Sequence, residues 1–163
     1  MGELSRDVEQ LRIELDAARA ALLASFEGIT QAAFERVPEV PADDPADRRW
    51  SVRDVLWHAG LLEDWVRRTV DAAVNGREVK LYAHRDRPAI AATPEYLGEW
   101  LEQCRRPMLA LLRRLPDDAL DRPFRLPDGT PRMPRLMLAY VAAHDLEHVA
   151  QIEALRAGAE RHA

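Results

Sequence analysis

The sequence has a single cysteine, Cys104, so it excludes an internal disulfide and is typical of a reducing compartment. It has no uninterrupted apolar stretch of about 18 residues, so no transmembrane helix is predicted. The first residues, Met-Gly-Glu-Leu-Ser-Arg-Asp, lack the basic and apolar segments of a signal peptide. Together these absences predict a cytoplasmic protein that does not enter a membrane.

Positive charge is almost entirely arginine, because the chain has only one lysine, Lys80. Charges of both signs are mixed along the chain, and the net charge of −5 argues against a dedicated nucleic-acid binder. The 163 residues are 47% hydrophobic and 31% charged, as in ordinary globular proteins. We therefore expect one domain over residues 1–163, with a sizeable core.

Four long segments carry apolar residues at the three- and four-residue spacing of amphipathic helices. No convincing strand pattern separates them, and the connections are rich in proline. This organisation predicts an all-α four-helix bundle. The predicted helices, with Ser5, Ser51 and Thr93 as caps, cover residues 5–26, 51–74, 93–115 and 134–157.

Several local signals refine these helices. Pro107 predicts a bend or break near Arg106, and Gly158 is expected to end the last helix. Ser51 and Asp54 have the spacing of a capping box. The charged connection over residues 77–92 is either a surface excursion or a functional lid.

The fourth helix has apolar residues outside its main stripe. Such a helix is either unusually central or covered by a second surface, and another subunit of a homodimer is one such surface. The residues outside the stripe are Leu138, Ala142, Leu146, Val149 and Ala150.

Three histidines fall on predicted buried faces. His144 and His148 lie one turn apart within the apolar stripe of the fourth helix, and His58 lies inside the apolar arc of the second. A histidine aimed at a core must be hydrogen-bonded, neutral or bound to metal. Each could be a separately satisfied core residue. Alternatively, the three could form three corners of a metal site that keeps open positions for water or substrate.

Imidazole suits several transition metals, so the ion could be zinc, nickel, iron or copper. The outer ring nitrogens would need hydrogen-bond partners, for which Glu63 and Gln151 are candidates. The spacing His-x-x-x-His is weak evidence alone, and it is not the zincin motif, because Asp145 follows the first histidine. The sequence identifies no catalytic residue and no residue that binds an organic cofactor.

Two longer motifs are similar to a known family. Residues 50–58 (Trp-Ser-Val-Arg-Asp-Val-Leu-Trp-His) resemble the tryptophan-serine start of helix two in the DinB-like, or DinB/YfiT-like, metalloenzymes. Residues 144–156 (His-Asp-Leu-Glu-His-Val-Ala-Gln-Ile-Glu-Ala-Leu-Arg) resemble that family's C-terminal motif. The resemblance implies an up-down-down-up bundle in which His58, His144 and His148 hold a divalent metal. It also implies a relation to transferases and isomerases that use low-molecular-weight thiols.

The resulting functional hypothesis is a divalent-metal-dependent enzyme acting on a small molecule. The reaction that the resemblance implies is a thiol-dependent S-transfer, or a related hydrolysis or isomerisation. One alternative is a non-catalytic, dimeric metal-binding protein with a role in stress response or interaction. Another is a helical interaction module that holds no metal. Neither nucleic acid nor a membrane is an expected partner.

Other chemically capable residues favour plainer interpretations. Cys104 lies on an apolar seam, which favours a packed thiol over a nucleophile. The cluster of His84, Arg85 and Arg87 could grip a carboxylate, but a solvated loop is the better interpretation. His162 is close to the C-terminus, where disorder is expected.

Overall fold

The computed structural model describes residues 6–116 and 118–160, so the predictions for Ser5 and His162 lie outside the described residues. Four long helices account for most of the described chain. The elements are α1 (Arg6–Ser25), α2 (Gln31–Glu35), α3 (Val52–Val74), α4 (Pro94–Leu112), β1 (Phe124–Arg125), β2 (Pro131–Arg132) and α5 (Pro134–Glu160), with 3-10 turns at Ala46–Arg49 and Ala119–Asp121. None of the described helices is both long and apolar enough to cross a membrane.

The four long helices form an up-down-down-up bundle. Near the starts of α1 and α5, Arg135 pairs with Asp7 at 2.9 Å. Near their ends, Arg156 donates to the carbonyl oxygen of Ser25 at 2.7 Å, so α1 and α5 run parallel. Both α1 and α3 pack against α5, which makes α5 a central helix. The predicted four-helix bundle and its topology are therefore confirmed.

Residues 77–92, here called the strap, return along the length of α3. The Nε1 of Trp65 donates to the carbonyl oxygen of Lys80, and the Nε1 of Trp57 donates to that of Arg85, both at 2.8 Å. The strap therefore runs from the C-terminal end of α3 towards its N-terminal end. As a result, α4 begins beside the start of α3 and runs parallel to it.

The predicted caps of α3 and α4 are present. The backbone N–H of Ser51 donates to Asp54 Oδ2 at 3.1 Å, completing the capping box of α3. Thr93 Oγ1 accepts from the backbone N–H of Tyr96 at 3.2 Å, and Pro94 follows as the first residue of α4. These local bonds set where α3 and α4 begin.

The predicted end of the last helix at Gly158 is wrong, and the break that was one of the two alternatives at Pro107 is absent. The helix α4 continues through Pro107 to Leu112 without a break, because the flanking Arg105 and Met108 are buried and tied into the core. The helix α5 continues past Gly158 to Glu160. A helical glycine costs only about 1 kcal/mol, and here the carbonyl oxygen of Gly158 accepts from Arg36 at 3.2 Å.

The expectation of no strand is also wrong for one short hairpin. Phe124 pairs with Arg132, and Arg125 pairs with Pro131, in an antiparallel two-residue ladder. The turn contains Gly129 with φ of +84°, a conformation that glycine adopts without a Cβ penalty. Strands of two residues are too short to show the alternation that identifies a strand in sequence.

The core consists of two apolar clusters with a charged layer between them. One cluster includes Leu15, Val66 and Met108, and the other includes Leu22 and Leu101. On each long helix, one buried charged residue lies at or next to the boundary between the positions that belong to the two clusters. These four buried residues, here called the ion quartet, are Arg19, Glu63, Arg105 and Asp145.

Candidate metal centre

The bundle brings the three predicted histidines together. His144 and His148 lie on successive turns of α5, and His58 reaches them from α3. The Nε2 atom of His144 is 3.1 Å from that of His148 and 3.2 Å from that of His58. The three possible ligand atoms all lie within 4.8 Å of one another. Three imidazoles from two helices therefore point at one small volume.

The hydrogen bond of the outer nitrogen of His148 determines which tautomer of its imidazole ring is present. Its Nδ1 lies 2.9 Å from Gln151 Oε1, while Gln151 Nε2 donates to the carbonyl oxygen of Asp47 at 3.3 Å. Because the amide oxygen can only accept, Nδ1 of His148 carries the proton. Its Nε2 therefore presents a lone pair to the cluster. Gln151, one of the two residues suggested for this role, fulfils it.

His58 has a different outer partner. The hydroxyl of Tyr82, on the strap, lies 3.0 Å from His58 Nδ1. Burial raises the pKa of Tyr82, so the phenol stays protonated and serves as a hydrogen-bonding group. The strap thus orients one of the three imidazoles. Nothing in the sequence pattern pointed to Tyr82, since the contact depends on the path of the connection.

Glu63, the other residue suggested for an outer partner, does not take this role. Its Oε1 accepts from Arg105 Nε at 2.6 Å, and its Oε2 accepts from Arg19 Nη2 at 2.5 Å. Asp145 Oδ2 accepts from Arg19 Nε at 3.0 Å and from Arg105 Nη2 at 3.3 Å. Glu63 therefore belongs to the ion quartet. The quartet adjoins the histidine pair, because its member Asp145 directly follows His144 in the chain.

The two separations measured from His144 Nε2 suit a first-row transition metal. Metal–nitrogen bonds of about 2.0–2.1 Å place neighbouring ligands about 3.3 Å apart in a tetrahedral site and about 3.0 Å apart in an octahedral one. The separations from His144 Nε2, 3.1 Å to that of His148 and 3.2 Å to that of His58, lie between these values. The donor set fits a divalent ion and does not discriminate between zinc, nickel and iron.

All three rings favour the neutral, ligating form. Burial, with a smaller contribution from neighbouring histidines, lowers the pKa of His58 to about 4 and that of His144 to about 3. Burial also lowers the pKa of His148, although its bond to Gln151 opposes the shift. A neutral imidazole keeps the lone pair that a metal ion needs.

Aromatic side chains surround the histidines. The Trp50 ring lies 4.7 Å from that of His58, measured between centroids, and the exposed His84 ring stacks on Trp50 at 6.0 Å. On the α5 side, Tyr140 lies 5.6 Å from the ring of His144. The site is therefore walled by rings while His58 remains partly accessible to solvent.

The remaining sequence candidates take structural roles. Cys104 is buried, and burial together with nearby Glu63 and Asp64 raises the pKa of its thiol to about 12, so it is a poor nucleophile. Arg87 pairs with Asp54 at 3.2 Å and also donates to a strap carbonyl. Arg87 thus holds the strap to α3, whereas His84 and Arg85 are exposed, as the interpretation of a solvated loop expects.

Fold and site together define a helical bundle with a three-histidine cluster of metal-binding type. A family profile of the DinB superfamily matches residues 14–152, and the chain belongs to that superfamily. Among solved structures, it is similar to YfiT from Bacillus subtilis, described as a probable metal-dependent hydrolase with an unusual four-helix bundle topology. The TM-score is 0.69 at 19% identity, over 97% of this chain and 92% of that one. A search of curated proteins finds no significant match.

Proposed function

We propose that the protein is an enzyme that depends on a divalent metal held by His58, His144 and His148. The observation that carries this proposal is the convergence of three neutral Nε2 atoms, two of whose rings are fixed from behind by Gln151 and Tyr82. The description of YfiT as a probable metal-dependent hydrolase supports the same class of chemistry.

The reaction that we propose is transfer of a low-molecular-weight thiol to a small electrophile in the cytoplasm. A divalent ion at this site would lower the pKa of a bound thiol or water. In the transfer, the thiolate sulfur supplies the electron pair of a new C–S bond, the leaving group departs with the pair of the broken bond, and the thiol proton passes to solvent. Hydrolysis or isomerisation at the same site is the related alternative.

Metal analysis of the purified protein tests the site. Under metal-replete conditions, we expect the wild type to hold about one ion and the His144→Ala variant to lose it. The matched control is His84→Ala, which removes a neighbouring imidazole outside the cluster and should retain the ion. Equal and negligible metal contents in the wild type and His144→Ala would show that the site is wrong.

An activity screen tests the reaction. Wild-type protein is assayed with bacillithiol, mycothiol and glutathione against a set of electrophiles, before and after metal removal. We expect turnover with at least one thiol, lost on chelation and restored by the ion. Thiol turnover that is indifferent to metal removal contradicts the proposed mechanism.

The second candidate function is a non-catalytic metal-binding homodimer. It is favoured by the exposed apolar residues of α5, Leu136 at 65% and Leu146 at 52% exposure, which a second subunit would cover. Metal binding and a dimeric mass, without turnover of any thiol or water substrate, would support this alternative over the enzyme.

A further inference from the structure

An apolar cavity lies along the groove between α3 and α5, next to the histidine cluster. Its volume is about 490 Å³, within the range of pockets that hold small organic ligands. The wall residues are Trp65 and Val66 from α3, and Leu136, Met137 and Tyr140 from α5. Pro123, Pro131, Arg132 and Met133, in and beside the β-hairpin, close the far end.

Two wall residues of the cavity contact groups that belong to the metal centre. Tyr140 precedes His144 by one helical turn, and their rings lie 5.6 Å apart. On the opposite wall, the ring of Trp65 lies 5.7 Å from that of Tyr82, whose hydroxyl contacts His58. Met137, deeper in the cavity, is two turns from His144, or about 10 Å along α5.

Charge is present at one end of the cavity only. Arg132 is the only charged residue in the lining, and the carboxylate that feels its charge, that of the exposed Asp128, lies outside the lining. Its guanidinium donates to the carbonyl oxygen of Pro131 at 3.2 Å. Among the described residues, Arg132 makes no ion pair within 4.0 Å, so it is available to an anionic group of a ligand.

We propose that this cavity binds the acceptor substrate, an elongated molecule with an apolar aromatic body and an anionic group at one end. The anion pairs with Arg132, the apolar body lies between Trp65 and Tyr140, and the reacting end reaches the histidines. This inference rests on the proposed function, because the acceptor is the electrophile of the proposed thiol transfer. The binding site itself can be tested without any turnover.

The probe is 4-phenylbutyrate, which joins an aromatic ring to a carboxylate through three methylenes. Calorimetric titration of metal-free, full-length protein should show saturable binding. Leu136→Glu places a carboxylate on the cavity wall. It should weaken binding at least about tenfold, because the carboxylate of the probe and the new carboxylate carry the same charge and would lose water close to each other. Leu146→Glu is the matched control, the same substitution at another exposed leucine of α5 outside the cavity, and should leave binding unchanged.

The role of Arg132 is tested by a pair of ligands. Arg132→Gln should weaken 4-phenylbutyrate about tenfold and leave the neutral 4-phenylbutanol unchanged. No saturable binding to the wild type, equal effects of the two leucine substitutions, or equal effects of Arg132→Gln on both ligands would overturn the inference.

Orientation is tested with Mn²⁺ in the metal centre. Paramagnetic relaxation falls steeply with distance, so the phenyl protons of the probe should relax faster than the methylene beside the carboxylate. The reverse order would overturn the proposed orientation. Failure of Mn²⁺ to bind, with the probe still binding as described, contradicts the proposed function and leaves the cavity assignment standing. Metal binding without probe binding overturns the cavity assignment and leaves the proposed function standing.

Discussion

The protein contains two buried polar clusters, joined by the peptide bond between His144 and Asp145. In the ion quartet, two arginines face two carboxylates, and all four carboxylate oxygens accept hydrogen bonds. In the histidine cluster, three Nε2 atoms face one another and at least one, that of His148, has only a lone pair. The charges of the quartet are therefore balanced and its carboxylate oxygens are all hydrogen-bonded. The histidine cluster, in contrast, has more hydrogen-bond acceptors than donors.

This difference separates a structural cluster from a candidate functional one. A closed set of opposite charges, in which Nη1 of Arg19 and of Arg105 also donate to the carbonyls of Leu101 and Leu15, fixes four helices relative to one another. An open set of acceptors gains most from a cation. The experiments below compare the two clusters, beginning with the largest expected effect.

The first prediction concerns the quartet. Glu63→Gln leaves Arg19 and Arg105 with one carboxylate between them, so we expect a loss of about 3–5 kcal/mol in the free energy of unfolding. Denaturant unfolding of metal-free protein measures it. The control is Asp64→Asn, one residue further along α3, where the partially exposed pairs with Arg67 and Arg68 predict a loss of at most about 1 kcal/mol. Equal losses would contradict a special role for the quartet.

The second prediction concerns the histidines. Metal at 100 times its dissociation constant should stabilise the wild type by about 2.7 kcal/mol, measured as a rise in the thermal midpoint that EDTA reverses. His144→Ala should abolish this rise, while Glu63→Gln, if it folds, should keep it. A metal-dependent rise of the same size in His144→Ala would show that the ion binds elsewhere.

The sequence identified the histidine cluster but overlooked the quartet, and the reason is physical. Histidines at one-turn spacing in an apolar stripe are unusual, so they attract a chemical interpretation. Arginine is ordinarily a surface residue, so Arg19 and Arg105 attracted no interpretation. Each nevertheless lies four residues after a core leucine, Leu15 and Leu101, and this helical phase was the signal that could have revealed them.

Helix positions were also largely predictable, because caps and apolar spacing are local. The helices continue through Pro107 and past Gly158, where tertiary contacts outweigh local preference. The role of Tyr82 was not predictable, because it depends on how the strap crosses α3. The cavity between α3 and α5 was not predictable for the same reason, since its walls come from three separate parts of the chain.

The third prediction tests the packing that carries both clusters. Gly60 lies between His58 and Glu63 on α3, and a Cβ there would lie 2.2 Å from the Trp100 side chain of α4. Gly60→Ala should therefore cost about 1–3 kcal/mol by forcing α3 and α4 apart. Gly98→Ala, on α4 with open space around its Cβ, is the control and should be neutral or stabilising by up to about 1 kcal/mol. Equal losses of stability in Gly60→Ala and Gly98→Ala, measured by thermal unfolding, would argue against a close contact between Gly60 and Trp100.

The fourth prediction concerns the outer bonds of the histidines. Gln151→Leu removes the acceptor of His148 Nδ1–H and should lower metal affinity about tenfold or more, measured by competition with a coloured chelator. Tyr82→Phe should act similarly through His58. The metal-free stability should change little, and Gln103→Leu on the exposed side of α4 should leave affinity unaltered. If Gln151→Leu and Tyr82→Phe both keep the wild-type metal affinity, the hydrogen bonds to the outer ring nitrogens do not contribute to metal binding.

The last and smallest prediction concerns an ion cluster at the surface. Burial alone would raise the pKa of Asp71, but its bonds with Arg77 and Arg114 outweigh burial and hold the pKa below its usual value. Asp71 therefore contributes stability above the unfolded-state pKa of about 3.9, and this contribution is lost as the pH falls through the lower folded-state pKa. Since both arginines are more than half exposed, the contribution is at most about 1 kcal/mol.

Asp71→Asn should consequently be less stable than the wild type at pH 7, and the gap should close as the pH falls below about 4. Raising the salt concentration should also narrow the gap at pH 7, because solvent ions screen exposed charges. Glu63→Gln, in the buried quartet, should keep its deficit in high salt. Urea unfolding of both variants at low and high salt makes the comparison. A salt-independent deficit for Asp71→Asn would mean that this surface cluster behaves like the buried one.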